Sequence, residues 1–301
     1  MYNRLLLTSA ALLCTAGLVS AASYDAATSK RLAYYSAASY CAKSTLSNWN
    51  CGAACSAVPG VTNVTPIENS AAGTYGFVGF SSSHNEIIVS FRGSHNIANW
   101  ISNINFAKEQ LPGAPSGVQV HTGFYQSYLT MKTAMMNAVK SLHNAHPSAA
   151  VAVTGHSLGG AQATFAFIDI KNQVNPGSLR FYTFGSPRPG NQQFSDYLMT
   201  MYGDYKRVVH LNDCVPHLPL TNMGFNHAGT EIWYNDALNN NNYKTCANTV
   251  GKPENPTCSD TQIIDGAAAH MVYMGISLTT QCNVPSTENN YEDPVEPIQF
   301  L

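Results

Sequence analysis

Gly155-His156-Ser157-Leu158-Gly159 is the stretch whose residue types and spacing point most directly to chemistry. A serine hydroxyl is a poor nucleophile at its ordinary pKa, so it acts only when held on a tight turn and served by a base. The flanking glycines lack a Cβ and let the segments on either side of the serine pass close to one another. A β-branched apolar segment, Val151 to Thr154, precedes the turn. An Ala-rich run, Ala161 to Ile170, follows it with no proline or charge in its first two turns. The pattern predicts strand, sharp turn and helix, with Ser157 at the tip. Such a helix aims its free N–H groups and positive end at the point where an oxyanion would form. A G-x-S-x-G can arise by chance, but the strand before it and the helix after it make Ser157 the candidate nucleophile.

Ser157 then needs an imidazole, and the imidazole needs a carboxylate to fix its tautomer and stabilise its charged form. On a strand-turn-helix scaffold of this kind the chain order is serine, acid, histidine. Downstream, Asp169 and Asp196 fall within predicted helices and Asp204 in a Gly-containing turn. Glu231, Asp236, Glu254, Asp260 and Asp265 follow. Asp213 stands two residues beyond the apolar run Val208 to Leu211, where such sheets carry their sites; the plainer alternative is a turn-capping Asp before Pro216. Among the histidines, His210 lies in the predicted strand and His217 is only four residues from Asp213. His227 sits in a Gly-rich loop, and chain order does not exclude it. His270 ends a run of small residues and precedes a last apolar segment, Met271 to Met274, which suits a base on a late loop.

The elements that must position these residues alternate along the chain. Strands are expected at Tyr75–Phe80, Glu86–Phe91, Ala149–Thr154, Leu179–Phe184, Tyr205–Leu211 and Glu231–Tyr234. Helices are expected at Phe124–His143, Ala161–Ile170 and Asn191–Met201. Strands separated by helices imply an α/β fold, a mostly parallel central sheet with helices on both faces and sites at the strands' C-terminal ends. Between Arg92-Gly93-Ser94 and the next strand, apolar residues Ile97, Trp100, Ile101 and Ile104 fall at the i, i+3, i+4, i+7 positions of a short amphipathic helix. An ordinary surface helix would show the same pattern. Its place directly beside the Arg92-Gly93-Ser94 turn favours a lid that hides its apolar face when closed and presents it to lipid when open.

Residues 1–21 read as a signal peptide: Arg4 is the positive start, Leu5 to Val19 is apolar but too short to span a bilayer, and Val19-Ser20-Ala21 is a small-residue cleavage site. Residues 22–284 form one expected domain, and 285–301 a polar, acidic, proline-broken tail. The net charge of −2, with 11% charged residues, argues against nucleic acid or an anionic membrane surface as a partner. No other stretch is long enough to cross a membrane, so secretion without a stable anchor is expected. Beyond Cys14, seven cysteines remain. In an oxidising compartment Cys51–Cys55 reads as a small local disulfide, Cys246 and Cys258 bracket a Pro-containing loop, and Cys41 and Cys282 could staple the two ends. Cys214 is left over. No spacing fits a zinc or calcium site, so no metal and no cofactor is expected. Asn63-Val64-Thr65 is a glycosylation sequon weakened by Pro66.

Several separated motifs together resemble the secreted class 3 triacylglycerol lipases of filamentous fungi, which are α/β-hydrolases. They are FRGS (91–94), IANWISNINF (97–106), HTGF (121–124), TGHSLGG (154–160), TFGSPRPGN (183–191), NDCVPHLP (212–219) and the AH–Y–G pattern at 269–275. The likeness extends from about Tyr34 to Cys282. It implies Ser157 as nucleophile, Asp213 as acid, His270 as base, and an oxyanion hole from Ser94 and the Leu158 amide. It also implies the disulfides Cys41–Cys282 and Cys51–Cys55. Cys214 departs from the family, standing where an aliphatic residue is usual, and reads as a small buried hydrophobe. The implied activity is hydrolysis of long-chain acylglycerols at a lipid–water interface by a monomer. A partial-glyceride lipase, a phospholipase A1 or a feruloyl esterase would share the catalytic residues, and an inactive lipid-binding relative is the reading outside catalysis. Feruloyl esterases carry a more polar segment at the lid position, which favours the lipase.

Overall fold

The computed structural model describes residues 24–94, 96–202, 205–237, 241–262 and 266–283. The expected signal peptide, the tail, Asp204, Asp265 and part of the Asn239–Asn242 loop lie outside these residues. An eight-stranded sheet runs through the molecule. Its strands are β1 (Val61–Asn69), β2 (Thr74–Ser81), β3 (Glu86–Phe91), β6 (Ala150–His156), β7 (Leu179–Phe184), β8 (Lys206–His210), β9 (Thr230–Tyr234) and β10 (Lys244–Ala247). They lie side by side in that order. The five from β3 to β9 are parallel neighbours, and the antiparallel strands are added at the two edges. A two-stranded ribbon, β4 (Lys108–Gln110) with β5 (Gln119–His121), and a last small hairpin, β11 (Val272–Tyr273) with β12 (Ile276–Ser277), lie outside the sheet.

Alternation along the central strands sorts side chains onto two faces, as the period of two demands. Ile87, Val89 and Phe91 of β3 and Val151 and Val153 of β6 point to one face. There they meet the apolar sides of α5 (Thr122–Ala145), α6 (Leu158–Gln173) and α7 (Gln192–Met201). Ile88 and Ala152 point to the other face, together with Phe184, Val208 and Ile232. That side is covered by Leu32, Ala33 and Tyr35 of α1 (Ala26–Ala38) and by residues of the short helices α2 (Lys43–Leu46) and α3 (Ala53–Ala57). Helices thus cover both faces, and the parallel strands β3 and β6 between them are buried end to end.

α1 starts on the Asp25 carboxylate, which accepts from the backbone N–H groups of Ala27 and Thr28. α5 starts on His121, whose Nδ1 accepts from the Phe124 amide. Three disulfides are closed: Cys41–Cys282, Cys51–Cys55 and Cys246–Cys258. The first is reinforced where the Asn283 amide donates to the Cys51 carbonyl. Cys214 lies outside these bonds and is half-buried at the N-cap position of a short 3-10 turn, Val215–His217, against the expectation of a buried hydrophobe. Asn63 is exposed on edge strand β1, where its φ of 52° accompanies a break in register with β2. Among the described residues no helix is long and apolar enough to cross a membrane.

Candidate active site

Ser157 stands between the end of β6 and the first residue of α6, with φ 59° and ψ −134°. A non-glycine residue in that region carries strain on the order of 1–3 kcal/mol, and the surroundings hold it there. The Ser157 amide donates to the Phe184 carbonyl, and its carbonyl accepts from the Gly160 amide. A Cβ on Gly155 would lie 2.2 Å from the Gly159 oxygen, and one on Gly159 would lie 2.3 Å from the Phe91 oxygen. Only glycine fits at either place, so the strand, the turn and the neighbouring strand close on one another around the serine. Leu158 opens α6, and its amide belongs to the first helical turn, which has no intrahelical acceptor. The chain beyond β3 supplies Gly93 and the buried Ser94; a Cβ on Gly93 would sit 2.7 Å from Ser157 Cβ.

The acid and base arrive from loops beyond β8. Leu211 takes a φ of 48° and turns the chain at the end of that strand, held by a Trp233 Nε1 donation to its carbonyl. Asp213 Oδ1 then accepts from the Val215 amide at 2.9 Å, and Oδ2 accepts from His270 Nδ1 at 2.8 Å. The Tyr273 hydroxyl donates to the same Oδ2. Burial, with the Asp213 charge second, raises the Tyr273 pKa well above its ordinary value, so the phenol stays a donor. Gly185, with φ 59°, lies under this group: a Cβ there would be 2.6 Å from Tyr273 Oη and 2.9 Å from Asp213 Oδ2. The Asp213–His270 bond fixes the imidazole so that Nε2 is the free basic nitrogen. Ser157, Asp213 and His270 are each 0% exposed. Ser157 Oγ and His270 Nε2 make no hydrogen bond to another described group.

The rival histidines serve elsewhere. His227 is buried, its Nε2 donating to the Pro216 carbonyl and its amide to Glu254. Burial holds its pKa well below the usual value. His217 Nδ1 pairs with Asp260. The other acids are also engaged: Asp169 with Tyr128 and Lys132, Asp196 with Gln192, Glu231 with Arg207, and Glu254 with Arg188. Tyr273 is legible in the sequence only as part of a motif, and its partnership with Asp213 carries no sequence signal. The same holds for the buried Tyr40–His156 and His156–His270 contacts, each of which spans more than a hundred residues.

The amphipathic segment forms α4 (Ile97–Asn103), capped by Asn96, whose side chain accepts from the Asn99 amide at 3.1 Å. Ile97 is buried and Trp100, Ile101 and Ile104 are half-buried, whereas Asn96, Asn99, Ser102 and Asn103 are exposed. Trp100 stacks on Phe124 with ring centroids 5.9 Å apart, and Phe124 stacks in turn on His121. Trp100 and Ile104 therefore close over the core beside the Ser94 turn. Among the described residues no group of three or more His, Cys, Asp or Glu side chains is placed to hold a metal ion.

A parallel sheet with a strained serine at its centre, and a buried acid–histidine pair delivered from later loops, defines an α/β-hydrolase. The family described as lipase (class 3) matches residues 88–223. The chain is 35% identical over 212 residues to a lipase of Rhizomucor miehei, covering 68% of this chain and 56% of that protein. It is 37% identical over 170 residues to secreted mono- and diacylglycerol lipase 1 of Fusarium solani, covering 56% of this chain and 50% of that one. The matched stretch thus spans about half the length of these relatives. The crystal structure of a lipase from Rhizopus microsporus var. chinensis superposes with a TM-score of 0.77 at 31% identity, covering 85% of this chain and 90% of that one. The chain belongs to the class 3 lipase family.

Proposed function

We propose that this protein is a secreted serine lipase that hydrolyses long-chain acylglycerol esters at a lipid–water interface by a Ser157–Asp213–His270 mechanism. The observation that carries the reading is the 2.8 Å Asp213–His270 pair, buried together with a strained Ser157. In the first step His270 Nε2 takes the hydroxyl proton as Ser157 Oγ attacks the ester carbonyl. The oxyanion is held by Ser94 and the Leu158 amide, each donor contributing about 3 kcal/mol. His270 then protonates the departing glycerol-side alcohol, and water repeats the cycle to release the fatty acid. No cofactor takes part. The buried triad and the apolar face of α4 support a lid that opens on lipid through Ile97, Trp100, Ile101 and Ile104. The three disulfides and the expected signal peptide at 1–21 support an extracellular protein.

A second reading, a mono- and diacylglycerol lipase, is supported by the likeness to the Fusarium solani enzyme. Hydrolysis rates on a medium-chain triglyceride, measured as its concentration crosses the solubility limit, test the proposal. A jump at emulsion formation, absent in Ser157→Ala with its fold intact, is expected. A smooth saturating curve would move the assignment to a soluble-ester hydrolase, residual turnover in Ser157→Ala would refute the nucleophile, and activity confined to partial glycerides would favour the second reading.

A further inference from the structure

Two buried groups beside the triad take no part in the proton transfers described above. His156 precedes Ser157 on β6, and Tyr40 follows α1. His156 Nε2 lies 2.8 Å from the His270 carbonyl oxygen and Nδ1 lies 2.7 Å from Tyr40 Oη. The Gly93 amide donates to Tyr40 Oη at 3.1 Å. These contacts have only one consistent set of directions. A carbonyl oxygen only accepts, so His156 Nε2 carries its proton. Nδ1 of the neutral ring is then an acceptor, and the Tyr40 hydroxyl donates to it. The Tyr40 oxygen is left to accept the Gly93 N–H.

We infer that Tyr40 and His156 are positioning residues, forming a directed relay from the Gly93 amide through both side chains to the His270 carbonyl that ties the oxyanion turn and the base to the nucleophile's own strand. The inference rests on the reading of Ser157, Ser94 and His270 given above. The preceding carbonyl, that of Ala269, accepts from His210 Nδ1 at 3.0 Å. Consecutive carbonyls of the turn that carries the base are thus held by imidazoles from β6 and β8. Space is equally tight, since a Cβ on Gly93 would come within 2.5 Å of Tyr40 Oη. Burial, and then the nearby His270 charge, keep His156 well below its ordinary pKa. Its ring therefore stays neutral, and the relay keeps its directions, while His270 carries the serine proton.

A relay that aligns the base and the oxyanion donors acts on turnover rather than on binding. Steady-state kinetics of the full chain on a soluble p-nitrophenyl ester, with active sites counted by a fluorescent serine-directed phosphonate, test it. For His156→Phe, kcat per titrated site is expected to fall roughly 10- to 100-fold with KM little changed, the scale of a misplaced catalytic group. His156→Gln keeps an N–H donor toward the His270 carbonyl and is expected to recover most of that loss. Tyr40→Phe is expected to lower kcat roughly tenfold and decides the matter if His156→Phe does not fold. Full kcat per titrated site in a phenylalanine variant, a loss seen only as fewer titratable sites, or a loss carried by KM overturns the relay. Turnover in Ser157→Ala overturns the triad instead, so the two failures are told apart.

Discussion

At the scale of single residues, the Asp213 carboxylate is held in place by three donors: the Val215 amide, His270 Nδ1 and the Tyr273 hydroxyl. A buried charge needs all its partners, and removing one donor costs about 1–3 kcal/mol. Tyr273→Phe keeps the ring and removes only the hydroxyl. It is expected to lower kcat about tenfold, with a fall in thermal midpoint of a few degrees, because Asp213 loses part of what fixes its orientation. Steady-state rates and a thermal melt check both effects. Ser157, Asp213 and His270 were legible because the first sits in a motif with its own strand and helix and the others follow a chain order. His156, Tyr40 and Tyr273 were not, because a buried polar residue reveals its role only through its partner. Those partners lie 114, 116 and 60 residues away.

At the scale of elements, legibility followed periodicity. β3 and β7 fall where alternation and apolar content put them, and α5 and α6 are a turn or so longer than their apolar stripes. α6 begins at Leu158 because the Gly-Gly that weakens helix propensity is held by the turn around Ser157. α1, β1 and β10 carry no such periodicity. β1 carries Pro66 and a left-handed Asn63 at its bulge, which interrupt the alternation expected of a strand. α1 has serines and threonine on its buried side, so its inner face does not read as apolar. β10 is only four residues long. The 97–104 segment is legible as an amphipathic helix, and its stacking partner Phe124 is not. Trp100→Ala removes that stacking and weakens the closed state. The expected outcome is a severalfold smaller ratio of emulsion to dissolved-substrate activity, measured on one triglyceride series; an unchanged ratio would count against α4 as the lid.

At the scale of the whole molecule, several histidines are folded away uncharged. Burial lowers the pKa of His121 to about 4, and lowers those of His156 and His227 well below the usual value. Each would take a proton readily once unfolded, so below about pH 6.5 the unfolded chain binds more protons than the folded one. Their contribution is fully present above that pH and declines as pH falls, for His121 until about pH 4. Each histidine costs roughly 1.4 kcal/mol per pH unit across its window. Glu254 acts in the same direction at lower pH, since against the cost of burial Arg188 and Arg207 hold its carboxyl well below the carboxylate range. Thermal midpoints are expected to be flat from pH 8 to 7 and to fall steeply from 6.5 to 5. A midpoint that holds steady over the lower interval would contradict the buried neutral assignments.

The Cys41–Cys282 bond joins positions 241 residues apart and makes nearly the whole domain a covalent ring. A single backbone cut anywhere between those two cysteines leaves both pieces attached to one another. The turn at 112–117 of the ribbon is one place for such a cut, because a Cβ on Gly113 or Gly117 would meet nothing within 4 Å. A protease that opens it yields a nicked molecule rather than two separate fragments, with β1 to β3 on one piece, β6 to β10 on the other, and the disulfide joining them.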